Sequence, residues 1–273
     1  MLSKKIVIIG YGYVGKAMYE LVKNHYPTII LDPAYSNSCT KEEANQCDLA
    51  IVCVPTPKGD NGECDLSYVE DTFSWLNTPL ILLKSTVEVG TTAKLKEKYK
   101  KRIVFSPEYC GESTYWTPYA FHKSVVETPF FIFGGDKEDT SAMIDIFMPI
   151  CGPTKAYRQT DTTSAELAKY MTNAFYSTKI AFCYEMYEVA KAAGCDYNEV
   201  RELWLLDPRL NPMHTSVFSE NDYPFSGKCF PKDTSALAVL AEKNGYKANL
   251  IKEVLNSNER IAQIRKTRRN KKD

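Results

Sequence analysis

A glycine-rich turn near the N-terminus constrains the fold of this chain more than any other feature. Gly10, Gly12 and Gly15 form a G-x-G-x-x-G motif that directly follows an apolar run at residues 5–9 and opens a helical pattern. In a strand–turn–helix unit, such glycines allow a tight turn and let backbone amides at the helix N-terminus approach a pyrophosphate. The order of strand, motif and helix therefore predicts a dinucleotide-binding fold.

The acid at the end of the next strand pattern indicates which dinucleotide is bound. Asp32 follows the apolar run 28–31, about 20 residues beyond the glycines, where a carboxylate accepts hydrogen bonds from an adenosine ribose. It would repel a 2′-phosphate, and no arginine lies nearby in the sequence to receive one. We therefore expect NAD rather than NADP. The structural alternative is that the glycines serve only a tight turn and Asp32 caps a strand.

Apolar runs and helical patterns alternate through the first half of the chain. The runs cover residues 5–9, 28–31, 49–54, 80–83, 102–105 and 130–133. This alternation favours a parallel sheet covered by helices, with central strands buried on both faces. A capping-box candidate from Thr163 to Glu166 then opens a long helical pattern that reaches Gly194. We predict an α/β fold, with a Rossmann-type doubly wound sheet over residues 1–160 and an all-helical domain over residues 161–273.

Composition narrows the classes of partner. Lys and Arg number 34, as do Asp and Glu, so no net positive charge favours nucleic acid or an acidic membrane surface. No apolar run approaches the length of a membrane span, and the N-terminus does not resemble an export signal. The nine cysteines include no Cys-x-x-Cys pair, which argues against a structural zinc site or a disulfide framework. We expect a cytoplasmic protein with reduced thiols, no metal and a small-molecule substrate.

Five further segments resemble the motifs of a known family. They are residues 54–57 (VPTP), 84–87 (KSTV) with 90–92 (GTT), 106–109 (SPEY), 166–169 (ELAK) leading to 173–175 (NAF), and 227–233 (GKCFPKD). In this order and spacing they resemble the nucleotide-sugar 6-dehydrogenases, the family of UDP-glucose and GDP-mannose dehydrogenases. The resemblance implies a dinucleotide-binding domain joined to a helical domain, and oxidation of a sugar CH2OH to a carboxylate with two NAD.

The motif and the resemblance together predict three sets of site residues. Cofactor contacts are expected from Gly10, Gly12, Tyr13, Val14, Gly15, Asp32, Val54, Pro55, Thr56, Ser85, Thr86 and Lys232. The catalytic residues are expected to be Cys229, Lys169, Asn173, Asp233, Glu108 and Thr86. Substrate contacts are expected from Glu108, Glu112, Lys169, Asn173 and Gly227.

The chemistry of one pair can be argued from spacing alone. Lys169 and Asn173 lie four residues apart on the long helical pattern, so they share a face and can direct an ammonium and an amide at one oxygen. Such a pair would stabilise an alkoxide or a tetrahedral oxyanion. The alternative is a solvent-facing lysine beside an ordinary helical asparagine.

The thiol of Cys229 suits a covalent route. Cys229 lies just ahead of Pro231, a residue favoured in the first turn of a helix, so the helix N-terminus would favour its thiolate. That contribution is less than one pKa unit, so a cation such as Lys169 would have to help. A thiohemiacetal would let a second hydride leave the aldehyde, giving a thioester. The alternative is a small buried hydrophobic residue.

Hydrolysis of that thioester requires a positioned water. The resemblance assigns this task to Thr86, Glu108 and Asp233, and it matches Glu112 to a second family glutamate across an atypical Cys110-Gly111. For Asp233, the alternative is a carboxylate that stabilises only the first turn of its helix.

The chain also departs from the family pattern. Only Gly227 matches the glycine-rich loop that normally precedes the family's cysteine, and the resemblance implies a second Rossmann-like domain, which holds the nucleotide, beyond Asp273. We expect the sequence to be a piece of a longer protein, a naturally short version that holds its substrate in another way, or a half that works with a separate chain. We expect weak substrate binding for this reason, and a separate nucleotide-binding chain would be one remedy.

Three functions are compatible with these features. The first is an NAD-dependent nucleotide-sugar 6-dehydrogenase similar to UDP-glucose 6-dehydrogenase, the second a two-electron β-hydroxyacid-type dehydrogenase, and the third a non-catalytic NAD-binding or assembly module. The apolar positions of the long helix, together with Leu250, Ile251, Val254 and Leu255, predict a homodimer formed through the helical domain, as the family resemblance also implies. The alternative is that this apolar stripe is internal core.

Overall fold

A mostly parallel sheet forms from the apolar runs of the first half. The computed structural model describes residues 4–59, 62–109, 125, 127–218, 222–227 and 229–270. In this part of the chain the strands are β1 (Ile6–Ile9), β2 (Thr28–Leu31), β3 (Leu49–Val52), β4 (Leu80–Leu83), β5 (Ile103–Phe105), β6 (Phe130–Gly134) and β7 (Ala156–Thr160). Their order is β2-β1-β3-β4-β5-β6-β7, and each neighbouring pair is parallel except β5 with β6.

The strands β2, β1, β3, β4 and β5 run parallel, so their carboxyl ends lie at the same edge of the sheet. β1 pairs in register with β2 on one side and with β3 on the other, and β3 continues to β4 and β5. Every residue of β1, β3 and β4 is buried, which confirms the expectation of central strands covered on both faces. β7 was not predicted, because its sequence AYRQT is largely exposed and carries no apolar run.

Helices connect the strands and make up the C-terminal part. They are α1 (Tyr13–Val22), α2 (Lys41–Ala44), α3 (Ser67–Trp75), α4 (Thr91–Tyr99), α5 (Lys137–Cys151), α6 (Thr162–Ala192), α7 (Tyr197–Trp204), α8 (Phe230–Lys243) and α9 (Asn249–Arg269). None of the helices found in the described segments is both long enough and apolar enough to cross a membrane.

The long helix was predicted, but its predicted cap is wrong. Gly194 adopts a φ of 76° two residues after α6, as expected of a helix stop. At the other end Asp161, rather than Thr163, satisfies the first turn, because its carboxylate accepts bonds from the amide and the hydroxyl of Ser164. Glu166 does not complete a capping box. Its carboxylate bonds to α4 instead.

The chain divides into two compact units. The first contains the sheet, α1 to α5 and the beginning of α6 through Lys169. The second contains the rest of α6 from Tyr170, the helices α7 to α9 and a short segment that includes Gly62 and Glu63. The domain boundary between residues 160 and 161 stays a prediction.

Candidate functional site

Two of the three motif glycines are required by their surroundings. Gly10 has a φ of 87°, and a Cβ there would lie 2.8 Å from the carbonyl oxygen of Cys53. A Cβ on Gly15 would lie 1.9 Å from the carbonyl oxygen of Gly10, so only glycine lets α1 pack against the turn. Gly12, the N-cap of α1, is different, since a Cβ there meets no atom within 4 Å. Open space therefore lies beside the helix N-terminus, as a pyrophosphate requires.

Asp32 closes the same turn from the end of β2. Its Oδ2 accepts a hydrogen bond from the Tyr11 amide at 2.6 Å, and its Oδ1 accepts one from the Ala34 amide at 2.8 Å. Each carboxylate oxygen can accept a further bond. Asp32 is thus held beside the glycine turn with capacity left for ribose hydroxyls. In the first turn of α1, Val14 packs on the sheet core and Tyr13 is exposed.

An aromatic pair beside Asp32 was missed by sequence reasoning. The rings of Tyr11 and Tyr35 lie 4.9 Å apart, and Tyr19 meets Tyr11 edge-on at 5.6 Å. Tyr11 occupies a variable position of the glycine motif, and Tyr35 follows Asp32 by three residues. In the sequence, only their positions close to the glycine motif and to Asp32 could have indicated this pair.

The loops that follow β3 and β4 are bonded to each other. The Thr56 hydroxyl donates to the carbonyl of Thr86 at 2.7 Å, and the Ser85 hydroxyl donates to the carbonyl of Val54 at 2.7 Å. Both loops leave the carboxyl edge of the sheet, where α/β folds bind ligands. The structure therefore brings together Val54, Thr56, Ser85 and Thr86, with Pro55 exposed between the first two.

A buried lysine accompanies Glu108, three residues beyond β5. The Lys84 ammonium lies 3.4 Å from Oε2 of Glu108 and donates to the carbonyl of Pro107 at 3.0 Å. The side chain of Lys84 is only 3% exposed. Lys84, Glu108 and Tyr109 line a small cavity with room for about one water molecule. Lys84 belongs to the KSTV motif, but the sequence alone assigns it no role, because nothing in the sequence shows where its side chain lies.

Two charged residues in the first turns of α6, Glu166 and Lys169, make different contacts. The carboxylate of Glu166 accepts from the amides of Gly90 and Thr92, at 2.6 and 2.9 Å, and from the Thr92 hydroxyl at 2.5 Å. Burial raises the pKa of Glu166 above its usual value, although these bonds oppose the shift. Lys169 places its ammonium over the Tyr109 ring, 5.1 Å from the centroid.

In the second unit, the start of α8 is bonded to α6. Nδ2 of Asn173 donates to Oδ2 of Asp233 at 2.5 Å, and the Lys232 ammonium pairs with Oδ1 at 2.7 Å. Asp233 does lie in the first turn of α8, yet it is 1% exposed and both oxygens are engaged by side chains. Its role therefore extends beyond stabilising a helix end.

Cys229 is the N-cap of α8 and is exposed, so it is not a buried hydrophobic residue. Cys47 is one: burial raises the pKa of its thiol to about 11. Gly227, two residues before Cys229, has a φ of 86°, and a Cβ there would meet no atom within 4 Å. Glu112 lies outside the described residues. In the described segments no group of three or more His, Cys, Asp or Glu residues could hold a metal.

Comparison with known proteins shows that both halves of the chain match models of one family. Residues 32–151 match the model of the UDP-glucose/GDP-mannose dehydrogenase family, NAD binding domain, and residues 163–260 match the same family's central domain. UDP-glucose 6-dehydrogenase TuaD of Bacillus subtilis is 31% identical over 227 residues, which are 78% of this chain and 46% of that protein. GDP-mannose 6-dehydrogenase of Azotobacter vinelandii is 30% identical, covering 80% of this chain and 52% of that protein. The chain spans about half the length of the curated relatives it matches.

Solved structures resemble the fold. A UDP-glucose dehydrogenase from Pyrobaculum islandicum superposes with a TM-score of 0.78 at 23% identity, over 94% of this chain and 68% of that one. The 3-hydroxyisobutyrate dehydrogenase of Mycobacterium tuberculosis gives 0.68 at 17% identity, over 96% and 94%. At these identities the likeness concerns the fold alone.

Proposed function

Because the chain belongs to the UDP-glucose/GDP-mannose dehydrogenase family, we propose that it oxidises the C6 hydroxymethyl group of a nucleotide sugar to a carboxylate with NAD. The observation that carries the proposal is the start of α8. There an exposed Cys229 caps the helix, one turn ahead of a buried Asp233 that is bonded to Asn173.

The turn at Gly10–Gly15 fits the cofactor. Open space beside Gly12 leaves the amides at the N-terminus of α1 accessible to a pyrophosphate. A hydrogen bond from the Tyr11 amide holds the Asp32 carboxylate beside the same turn. Further contacts are proposed from the bonded loops after β3 and β4 and from Lys232. NAD, when bound, supplies the hydride acceptor for each of the two oxidations.

The first oxidation removes a hydride and a proton from the CH2OH group and leaves an aldehyde. Lys169 and Asn173 lie one turn apart on α6, so their ammonium and amide groups can stabilise the alkoxide as the proton leaves. Glu108 and Gly227 are proposed as further substrate contacts.

The second oxidation proceeds through a bond to Cys229. The thiolate attacks the aldehyde carbon and forms a C–S bond, and the oxygen takes a proton to give a thiohemiacetal. Loss of a hydride from carbon and of a proton from oxygen then gives a thioester. The exposed position of Cys229 at a helix N-terminus favours its thiolate.

Hydrolysis releases the acid and regenerates the thiol. A water held by Thr86, Glu108 or Asp233 attacks the thioester carbon, the C–O bond forms, the C–S bond breaks, and the sulfur leaves as thiolate. Asp233 is proposed to accept the proton that this water loses, and Asn173 and Lys232 orient its carboxylate.

The experiment is the stoichiometry of NADH formation with a panel of UDP- and GDP-sugars, beginning with UDP-glucose. We expect two NADH and one carboxylate per sugar consumed. Cys229→Ala should abolish acid formation, whereas Cys195→Ala, which removes another exposed thiol, should leave it unchanged. Acid formation at the wild-type rate by Cys229→Ala, or no NADH with any sugar of the panel, would contradict the proposal.

A second candidate is a β-hydroxyacid-type dehydrogenase that transfers one hydride. It is compatible with Lys169 and Asn173, which lie one turn apart on α6 and could stabilise an alkoxide without any thiol. This reaction needs no thiol, so the same assay separates the two candidates: one NADH per substrate, unaffected by Cys229→Ala, would support it.

A further inference from the structure

The first turn of α8 is held against one face of α6. Three side chains of α6 take part, Asn173, Tyr176 and Ser177, and their spacing places them on the same face of the helix. Asn173 bonds to Asp233, and the Thr234 hydroxyl donates to Oγ of Ser177 at 2.8 Å. The Tyr176 ring contacts Phe230, the first residue of α8, at a centroid distance of 6.2 Å.

A third ring completes this contact. The imidazole of His214 lies 4.5 Å from the Tyr176 ring and 5.7 Å from the Phe230 ring, which it meets nearly edge-on. Phe230 in turn packs on the core of the second unit. We call Tyr176, His214 and Phe230 the aromatic clamp.

The backbone of His214 is strained. Among the described residues, His214 and Lys100 are the non-glycine residues with positive φ, 64° and 53°. Lys100 is the C-cap of α4, a usual place for the left-handed conformation, whereas His214 lies in a turn that belongs to no helix. Glycine or asparagine would adopt this conformation at lower cost. A histidine here is therefore explained best by a use for its ring.

The next residue fixes this strained backbone. Thr215 is fully buried, and its carbonyl accepts from the Tyr197 hydroxyl at 2.8 Å. Its hydroxyl accepts from Nε of Arg201 at 2.8 Å and donates to the carbonyl of Pro212. Because Tyr197 and Arg201 belong to α7, the ring of His214 is presented to the clamp by a rigid support.

The imidazole packs as a neutral ring. Burial lowers the pKa of His214 to about 4, so it carries no charge near neutral pH. Its Nδ1 is buried without a hydrogen-bond partner in the described part of the chain. The ring therefore serves by packing rather than by proton transfer.

We propose that His214 is a positioning residue for Cys229. Together with Tyr176, it holds Phe230 in place and so fixes the first turn of α8, whose N-cap is Cys229. The assignment of Cys229 as the nucleophile rests on the proposed function, but the mechanical link from His214 to the cap rests on the contacts within the second unit alone.

The test measures alkylation of Cys229 by iodoacetamide at pH 7, relative to alkylation of Cys195 in the same molecule, by peptide mass spectrometry. Both cysteines are exposed, so Cys195 serves as an internal reference in the same molecule. His214→Asn keeps a residue that tolerates the backbone and removes the ring. We expect its Cys229/Cys195 ratio to fall about two- to fivefold, the range that loss of a helix-terminus interaction with a thiolate gives.

Two further variants control the interpretation. His214→Phe retains a ring and should keep the ratio near wild type, and Lys100→Gly changes the other strained residue and should also keep it. An unchanged ratio in His214→Asn, or an equal fall in His214→Phe, would overturn the proposal. If circular dichroism shows His214→Asn to be unfolded, Tyr176→Leu removes the opposite side of the clamp, and an unchanged ratio there is equally decisive.

This assay needs neither substrate nor NAD. A wild-type protein that forms no NADH with nucleotide sugars would remove the proposed function and leave the alkylation result standing. Conversely, if the wild type is active but the Cys229/Cys195 alkylation ratio is the same in His214→Asn, only the positioning role of His214 is contradicted.

Discussion

Asp32 combines a structural task with a selective one. Its carboxylate receives two backbone amides and faces the turn where the cofactor binds, so its negative charge would oppose a 2′-phosphate. We expect wild-type protein to bind NAD at least about tenfold more tightly than NADP, the factor given by about 1.4 kcal/mol.

The variant Asp32→Asn removes this charge and keeps one oxygen acceptor. We expect it to reduce the preference toward equal affinity, as measured by titrating both cofactors into the protein. Asp48→Asn is the matched control, since Asp48 also accepts a backbone amide, from Lys5 at 2.7 Å, but lies before β3. Equal affinities in the wild type would show that Asp32 does not face the ribose.

For individual residues, the local sequence predicts much of the candidate site. The glycines and Asp32 could be placed because a strand, a turn and a helix lie within about 25 residues of one another. The partners of Lys84 and Glu166 could not, because each depends on segments more than 20 residues away that only the folded sheet brings together. The strain at His214 was equally invisible, since a backbone angle leaves no pattern in composition.

Among the secondary-structure elements, α4 and α6 depend on each other through Glu166. Its carboxylate satisfies the Gly90 and Thr92 amides at the N-terminus of α4, a helix whose own N-cap glycine provides no side chain. Removing the acceptor would leave buried donors unsatisfied. We expect Glu166→Ala to lower the free energy of unfolding by about 2–4 kcal/mol, measured by urea titration.

Apart from these hydrogen bonds, the burial of Glu166 makes stability depend on pH with a definite sign. Because burial raises the pKa of Glu166, the folded state retains a proton that the unfolded chain has already released. The stability that comes from this retained proton is complete below the ordinary value of 4.5 and is lost as pH rises through the raised pKa. We therefore expect Glu166→Gln to become more stable relative to wild type as pH increases across this window.

Glu70 provides the opposite case on α3. A hydrogen bond from Lys98 holds the pKa of Glu70 below its usual value, so its contribution is present above 4.5 and is lost as pH falls. Urea titrations of Glu70→Gln should therefore show a slope of the other sign. Parallel slopes for the two variants would contradict this account of Glu166.

At the scale of the whole molecule, exposed apolar residues of α6 favour association with a second copy of the chain. Within the second unit it exposes Met171, Phe175, Phe182 and Val189, at spacings of 4, 7 and 7 residues that form one apolar stripe. Leu250 on α9 is also exposed, whereas Val254, expected in the same surface, lies in the core. We propose that the stripe is covered by a second copy of the chain.

The prediction is a homodimer in light scattering at tens of micromolar, the range in which a weak apolar interface becomes occupied. Phe182→Glu should shift the mass to that of a monomer and leave the circular dichroism spectrum of the folded chain unchanged, because the side chain is 51% exposed. Tyr68→Glu, which alters an exposed ring on α3, should leave the dimer intact. A monomeric mass for the wild type would show that copies of this chain do not cover the stripe.

The bonds between Glu166 and the start of α4 also have a consequence for the order of folding. They join residues more than 70 positions apart, so a long loop must close before they form, whereas β1, α1 and β2 follow one another closely along the chain. The Thr92 amide hydrogen is shielded by a side chain that arrives only when α6 docks. In pulsed hydrogen exchange during refolding, the moment at which that single amide stops exchanging would therefore give the time at which the helix carrying Lys169 reaches its place.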